Sequence, residues 1–263
     1  MNETSKEITI SVPGTIIAFL FEILLPVILS IIWMKYFYNK ISCILVGIAG
    51  FVASVFIEKY IFLLLIFLIA GYGVFYYIIL GLSPGLFEET GRYICFKILL
   101  SNQGYNKKEI SIGYGIGHGG IESIYIGIQV LSILLTKDKL IENGSLTVSI
   151  PFFQCLMSAI ERLSAVIFHI SASIFVYKAV KEKKIIYYII AIVLHDLVDL
   201  FALLYQLKIL NNIYILELFF AIFSCCMVFF AYKLYNSLES DSNLENTEEN
   251  TRTEDENLIG NNN

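Results

Sequence analysis

Residues 185–205 read IIYYIIAIVLHDLVDLFALLY, an apolar run that one histidine and two aspartates interrupt. A helix needs about 20 apolar residues to cross the hydrocarbon core of a bilayer, so this stretch predicts a membrane helix. Ionisable residues cost roughly 2.5–3.5 kcal/mol each in hydrocarbon, and they usually mark a functional site that faces a protein interior or a wet cavity. His195 and Asp199 are one helical turn apart and therefore share a face.

Similar apolar runs along the rest of the chain predict about eight membrane helices joined by short loops. The predicted spans are Ile16–Trp33, Ile41–Ile57, Ile61–Leu82, Leu86–Leu100, Ile112–Leu135, Phe152–Ala179, Ile185–Tyr205 and Ile213–Tyr235. Glu58 and Lys59 close the second span, and Ser83-Pro84-Gly85 predicts a sharp stop after the third. The predicted fold is an all-α, polytopic membrane helix bundle over residues 1–238, with the polar helices at about 86–205.

Composition separates this bundle from the end of the chain. The whole sequence is 57% hydrophobic, with a net charge of −5. Residues 239–263 hold eight acidic residues and one arginine, and almost nothing apolar. Such a segment cannot bury enough surface to fold, so we expect a disordered acidic tail.

The chain has no basic stripe, which argues against a nucleic-acid partner. Its five cysteines lie in apolar runs without CxxC spacing, so neither a disulfide framework nor a zinc ribbon is expected.

The positive-inside rule gives no single orientation when eight spans are assumed. Lys35 and Lys40 follow the first span and favour placing its C-terminal end in the cytoplasm. The larger group of lysines further along the chain would reverse that orientation. These are Lys107, Lys108, Lys178, Lys181, Lys183 and Lys184. The two counts disagree, and the sequence alone assigns no orientation.

The first of four polar motifs is Phe87-Glu88-Glu89-Thr90-Gly91-Arg92. Arg92 can pair with either glutamate across one helical turn and leave the other carboxylate free. Adjacent residues point about 100° apart on a helix, so one glutamate can be held by Arg92 while its neighbour faces a cavity. A free carboxylate in an enclosed site suits general-base catalysis. The alternative is a helix start, where acids favour the positive end of the helix dipole.

The second motif, residues 114–122, reads YGIGHGGIE, and its glycines allow a neighbouring helix to approach closely. His118 and Glu122 share a face of that helix. The alternative is a packing helix with one satisfied polar pair.

The third motif is Glu161-Arg162 followed by His169 and Ser173, and the fourth is His195-Asp196-Leu197-Val198-Asp199. Glu161 and Arg162 predict an internal salt bridge, and His169 has Ser173 one turn away. A hydrogen bond between helices is the alternative role for the fourth motif.

Spacing excludes several kinds of active site. HExxH and Gly-x-Ser-x-Gly are absent, and no cysteine lies in a polar stretch that would activate its thiol. Carboxylate and imidazole groups remain, so water could be activated by a glutamate or by a metal that histidines and carboxylates hold. The three histidines, His118, His169 and His195, are candidate zinc ligands. The residues alone do not choose between zinc and a metal-free site.

The order of these motifs resembles the YhfC family of intramembrane metalloproteases, which is grouped with the CAAX prenyl endoproteases, the bacterial Abi (CPBP) proteins and the PrsW proteases. Glu88-Glu89, Tyr114-x-x-x-His118, His169-x-x-x-Ser173 and His195-x-x-x-Asp199 carry the resemblance. It implies that Glu88 or Glu89 positions the attacking water with His118, and that Arg92 orients the glutamate. It also implies that His195 and Asp199 stabilise the oxyanion or ligate a metal.

The sequence therefore predicts a multi-pass membrane protease that hydrolyses a peptide bond of a membrane-associated protein or peptide. The predicted catalytic residues are Glu88, Glu89, Arg92, His118, Glu122, His169, His195 and Asp199. Two other functions fit the same residues. One is a non-catalytic scaffold or immunity-type protein in which polar groups join the helices. The other is an ion or proton transporter, which the lack of an internal repeat disfavours.

Overall fold

The computed structural model describes residues 9–36, 40–69, 73–102, 105–142 and 149–260. Over these residues it contains seven helices and one two-stranded parallel ladder. The helices are α1 (Val12–Tyr36), α2 (Ile41–Ile69), α3 (Val74–Leu100), α4 (Glu109–Glu142), α5 (Phe152–Lys181), α6 (Ile186–Gln206) and α7 (Ile213–Gly260). The ladder pairs β1 (Thr9–Ile10) with β2 (Ser149–Ile150), so α1 and α5 begin at the same end of the bundle.

Six of the seven helices are long and apolar enough to cross a membrane, namely α1, α2, α4, α5, α6 and the part of α7 up to Leu238. Their outward faces carry large apolar side chains, as a lipid-facing surface requires. The remaining helix, α3, is long enough to span but carries Glu88, Glu89, Arg92 and Lys97. The predicted all-α membrane bundle is confirmed, and the protein is an integral, multi-pass membrane protein.

The helix count is seven among the described residues, where the apolar runs predicted about eight. The predicted break at Glu58 and Lys59 is wrong, because α2 continues through both to Ile69. Lys59 is exposed near the end of the span, and Glu58 accepts a hydrogen bond from the Ser83 hydroxyl at 2.5 Å. The Glu58 carboxylate is therefore paired inside the bundle and does not end the helix.

The predicted stop at Ser83-Pro84-Gly85 is also wrong, since Pro84 lies inside α3. A proline is tolerated in a membrane helix where neighbouring helices stabilise the interrupted backbone. Gly85 faces such a neighbour. A Cβ atom there would lie 2.9 Å from the backbone nitrogen of Asp196, so a larger residue would push α6 away. The predicted third and fourth spans therefore become the end of α2 and one continuous α3.

The central helix is α5, which packs against α1, α3, α4, α6 and α7. Helix α4 lies between α2 and α5, and its glycines set both distances. A Cβ atom on Gly117 would lie 2.1 Å from the carbonyl oxygen of Ile44 in α2, and one on Gly115 would lie 2.5 Å from Cα of Ile170 in α5. This close packing brings the polar side chains of α3, α4, α5 and α6 into one interior region.

Beyond Leu238 the backbone of α7 stays helical to Gly260, which differs from the disorder that composition predicts for residues 239–263. Extending an existing helix needs no new nucleus, so the end of α7 can continue without an apolar face. The division into a membrane domain at 1–238 and a tail at 239–263 stays a prediction.

Candidate functional site

Four neighbouring helices place their polar side chains in one buried cluster. Its members are Glu88, Glu89 and Arg92 from α3, His118 and Glu122 from α4, His169 from α5, and His195 and Asp199 from α6. All three histidines are buried, as are the two glutamates and the arginine of α3. The residues that the sequence predicted as catalytic therefore lie close to one another, although their pairing differs in part from the expected one.

Arg92 holds Glu89 and leaves Glu88 free of it. Nη1 of Arg92 donates to both carboxylate oxygens of Glu89, at 2.8 and 2.9 Å. Oε1 of Glu89 also lies 2.8 Å from Nδ1 of His195. A carboxylate held by a guanidinium group is a hydrogen-bond acceptor, so Nδ1 of His195 carries the proton and donates it. The ring of His195 therefore turns its Nε2 away from Glu89.

Glu88 lies between two imidazole rings. Its Oε2 atom is 2.9 Å from Nε2 of His118 and 3.8 Å from Nε2 of His195. The second distance is too long for a direct hydrogen bond and is typical of groups that share a bridging water. Of the two adjacent glutamates, Glu88 is thus the one available to a third molecule.

His169 links the two halves of the cluster. Nη2 of Arg92 lies 3.1 Å from Nδ1 of His169, and Nε2 of His169 lies 2.5 Å from Oε2 of Glu122. Arginine can only donate, so Nδ1 accepts and Nε2 carries the proton that Glu122 receives. The expected partner Ser173 instead donates to the backbone carbonyl of His169 at 2.7 Å. The contact with Arg92 was missed because residues 77 positions apart leave no local pattern.

Glu122 does not pair with His118, although the two share a helix face. Its Oε1 accepts a hydrogen bond from Nη1 of Arg162 at 2.8 Å, and its other oxygen contacts His169. Arg162 also binds Glu161, so the predicted Glu161–Arg162 salt bridge is present. Glu122 therefore belongs to a supporting network that orients His169.

Asp199 lies at the edge of the cluster, next to His195. Its Oδ2 atom is 3.6 Å from Nε2 of His195 and has no hydrogen-bond partner among the described residues.

Phe168 packs edge-on against the His195 ring, with 5.1 Å between centroids. The sequence did not single out Phe168. Glu217 was missed as well, although a lone acid in the apolar run of α7 is a visible signal. It is buried, and its Oε2 atom has no hydrogen-bond partner among the described residues.

A cavity of about 110 Å³ adjoins the cluster between α4, α5, α6 and α7. His169, His195 and Asp199 line its inner end. Glu122, Glu161 and Arg162 add charged groups to its wall, and Phe168, Phe220 and Phe223 add aromatic ones. A polar cavity of this size holds several water molecules. The cavity therefore offers space for water beside His169 and His195.

The cluster contains carboxylate oxygens and imidazole nitrogens, which are the atom types that bind a metal ion. One ligand atom each of Glu88, His118 and His169 lies within 4.8 Å of the others, and all three residues are buried. Two histidines and one glutamate are a donor set found at catalytic zinc sites. Nδ1 of His118 is buried without a hydrogen-bond partner among the described residues. His195, the third expected ligand, does not belong to this group of described residues.

Comparison with known proteins gives one family and one relative. The chain matches the YhfC intramembrane metalloprotease family over residues 21–220. It is 28% identical over 171 residues to a protein of Bacillus subtilis (strain 168) named uncharacterized membrane protein YhfC. That alignment covers 58% of this chain and 66% of the relative, so the chain spans just under two thirds of the relative's length. No solved structure matches.

Proposed function

This chain belongs to the YhfC intramembrane metalloprotease family, and from that premise we propose that it hydrolyses a peptide bond of a membrane-associated protein. The reaction takes place at the buried cluster of α3, α4, α5 and α6, in the cell membrane. The observation that carries the proposal is the position of Glu88, which has one oxygen 2.9 Å from His118 and 3.8 Å from His195. A carboxylate between two imidazoles can take a proton from water and pass it on.

Each residue of the cluster then has a separate task. Glu88 is the base that takes a proton from the attacking water, and His118 holds Glu88 in place through the hydrogen bond between them. Nε2 of His195 faces the space beside Glu88, where it can accept a hydrogen bond from the water or, in the protonated ring, donate one to the carbonyl oxygen of the substrate. Arg92 fixes Glu89, and Glu89 fixes the tautomer and orientation of His195, in the way that a buried acid orients a catalytic histidine.

Zinc fits the same group of residues and is the metal that we propose for it. Glu88, His118 and His169 would hold the ion, and Glu88 would then be a ligand instead of the base. Nδ1 of His169 would bind the ion in place of its contact with Arg92, while Glu122 accepts the proton of Nε2. A bound zinc ion supplies a Lewis acid and lowers the pKa of its water ligand to about 7. Metal analysis of the purified protein tests this part, and His118→Ala should remove stoichiometric zinc.

Cleavage is tested by labelling new protein N-termini in membranes of cells that express the chain. We expect a set of membrane-protein cleavage products that wild type produces and that Glu88→Gln, His118→Ala and His195→Ala do not. The matched control is Glu109→Gln, since Glu109 lies in the first turn of α4, outside the cluster. An identical set of N-termini from wild type and all three variants would contradict the protease assignment and favour a scaffold role.

A further inference from the structure

Lysines are concentrated at one end of the bundle. Going along the chain, they lie at the end of α1, the start of α2, the end of α3, the start of α4, the end of α5, the start of α6 and near residue 238 of α7. We name this end the lysine face; its lysines are Lys35, Lys40, Lys97, Lys107, Lys108, Lys178, Lys181, Lys183, Lys184 and Lys233. The remaining lysines of the described residues lie towards the opposite end; they are Lys59, Lys137, Lys139 and Lys208.

Side-chain contacts hold the helix ends of the lysine face together. The hydroxyls of Ser42 and Tyr105 are 2.7 Å apart, which joins the start of α2 to the connection between α3 and α4. Nζ of Lys108 lies 4.2 Å from the ring centroid of Tyr235, which adds α7. Lys178, near the end of α5, donates to the Ser237 hydroxyl at 2.8 Å. These ends therefore lie on one side of the membrane.

With the helix count of the structure, the positive-inside rule gives one orientation of the protein in the membrane. With seven helices, the lysines after α1 lie on the same side as those after α3 and α5. The conflict between the two lysine counts came from the extra predicted span, which reversed the side of everything after residue 82. Lysine-rich short connections favour the cytoplasm. The lysine face is therefore the cytoplasmic face, with the end of α7 on that side.

The cluster is closed towards the lysine face. His195 lies nine residues, about 14 Å, from the start of α6 at that face. Between the cluster and the face, three buried aromatic rings pack together: Phe96 against Tyr114 at 4.7 Å and against Tyr177 at 5.6 Å. These three rings, the aromatic plug, fill the interior of the described bundle between the cluster and the lysine face.

The cavity lies on the other side of the cluster. Along α6 its wall runs from His195 to Ala202, which is four residues, about 6 Å, from the end of the helix. Along α7 it includes Phe220, seven residues from the start of that helix. Both positions lie towards the end opposite the lysine face. Water and polypeptide can therefore approach the histidines from that end.

We propose that the site is reached from the non-cytoplasmic side, through the cavity between α5, α6 and α7. The substrate class is then a membrane-anchored polypeptide whose cleaved bond lies in or just outside the non-cytoplasmic half of the bilayer. This inference rests on the proposed function for the identity of the substrate. The orientation and the access route stand on the lysines, the aromatic plug and the cavity.

Orientation is measured with single cysteines and a membrane-impermeant maleimide on spheroplasts and on inverted vesicles. Ser101→Cys reports the lysine face, and Asn211→Cys reports the opposite face; both residues are exposed. The parent chain corrects for the native cysteines. We expect Asn211→Cys to react in spheroplasts and Ser101→Cys to react only in inverted vesicles. The reverse pattern would overturn the orientation.

Access is measured with two alanines of α6 that lie on either side of His195. Ala202 lines the cavity, whereas Ala191 is fully buried on the side of the lysine face. A small charged methanethiosulfonate reagent added to spheroplasts should modify Ala202→Cys and leave Ala191→Cys unmodified. Modification of Ala191→Cys from the cytoplasmic side, with Ala202→Cys unmodified, would overturn the route.

These labelling results do not depend on proteolysis. If labelling follows the expected pattern and no cleavage product is found, the proposed function fails and the access route stands. If cleavage is found but Ala202→Cys reacts only in inverted vesicles, the access route fails and the protease assignment stands.

Discussion

Glu88 and Glu89 are neighbours in the chain and have different partners in the structure. Glu89 is bound by Arg92 and His195, whereas Glu88 contacts His118 and has no guanidinium partner within hydrogen-bond distance among the described residues. A buried ion pair is costly to break, because one partner is left charged without compensation. Loss of the Glu89 carboxylate should therefore lower the stability of the protein, whereas loss of the Glu88 carboxylate should lower its catalytic activity.

Comparison of Glu88→Gln with Glu89→Gln tests this division. Glu89→Gln leaves the Arg92 guanidinium without its carboxylate, and we expect a loss of about 3–5 kcal/mol in stability, seen as a lower melting temperature in detergent. Glu88→Gln should melt close to wild type and lose at least about 100-fold in cleavage, as expected on removal of a general base. Equal destabilisation by both variants would show that Glu88 is mainly structural.

His169 gives a second test at the same scale, because both of its ring nitrogens are engaged. Glutamine can also accept with its oxygen and donate with its nitrogen, so His169→Gln should keep more of the thermal stability than His169→Ala. If His169 is a zinc ligand, both variants should lower the zinc content of the purified protein. A protein that keeps full zinc content in both variants would exclude His169 as a ligand.

The residue types of the site were predictable, and part of their pairing was not. The free-energy cost of placing an ionisable residue in a membrane helix is enough to identify His118, His169 and His195. Helix periodicity identifies Arg92 as the partner of a glutamate. Contacts between helices depend on how far each helix is shifted and rotated against its neighbour. Sequence spacing does not give these shifts and rotations. Only the structure therefore showed that Arg92 contacts His169 and that Glu122 contacts Arg162.

At the scale of the element, α4 positions the cluster through its glycines. Gly117 and Gly119 are two residues apart and differ in their surroundings. A Cβ atom on Gly117 would lie 2.1 Å from a backbone carbonyl oxygen of α2, whereas the contacts of a Cβ atom on Gly119 begin at 3.0 Å. The first position has no room for a methyl group, and the second requires only a small shift.

Gly117→Ala should therefore separate α4 from α2, move His118 relative to Glu88, and lower both the melting temperature and cleavage. Gly119→Ala, the matched control in the same helix, should have a clearly smaller effect on the melting temperature. The measurement is thermal unfolding in detergent together with the N-terminal labelling assay. An equal effect of the two substitutions would contradict the close packing of α2 and α4 at Gly117.

Helix boundaries were the least predictable feature at this scale. Proline, glycine and paired charges usually end a helix in water. Inside a bundle, neighbouring helices can bind the polar groups that these residues leave unpaired, so the helix can continue. Ser83 satisfies Glu58, and α6 occupies the space beside Gly85. The error had a consequence beyond the boundary itself, because one extra span reversed the predicted side of the later loops.

At the scale of the whole molecule, the apolar body and the acidic end of the chain are separate in composition. The fold class was predictable because the run lengths match the bilayer thickness, which is a constraint on the chain as a whole. Among the described side chains, the last contacts between α7 and the rest of the lysine face involve Tyr235 and Ser237. Leu238 is the last buried apolar residue described in α7.

A chain truncated after Leu238 should therefore fold, insert and melt like the full-length protein, and it should keep its cleavage activity, because residues 239–263 have no apolar face to bury. The matched control is truncation after Lys233, which also removes Tyr235 and Ser237 and with them the contacts to Lys108 and Lys178. That shorter chain should have a lower melting temperature. Thermal unfolding and membrane content of the three chains provide the comparison. If the chain ending at Leu238 is as unstable as the chain ending at Lys233, the acidic segment packs against the bundle and belongs to the membrane domain.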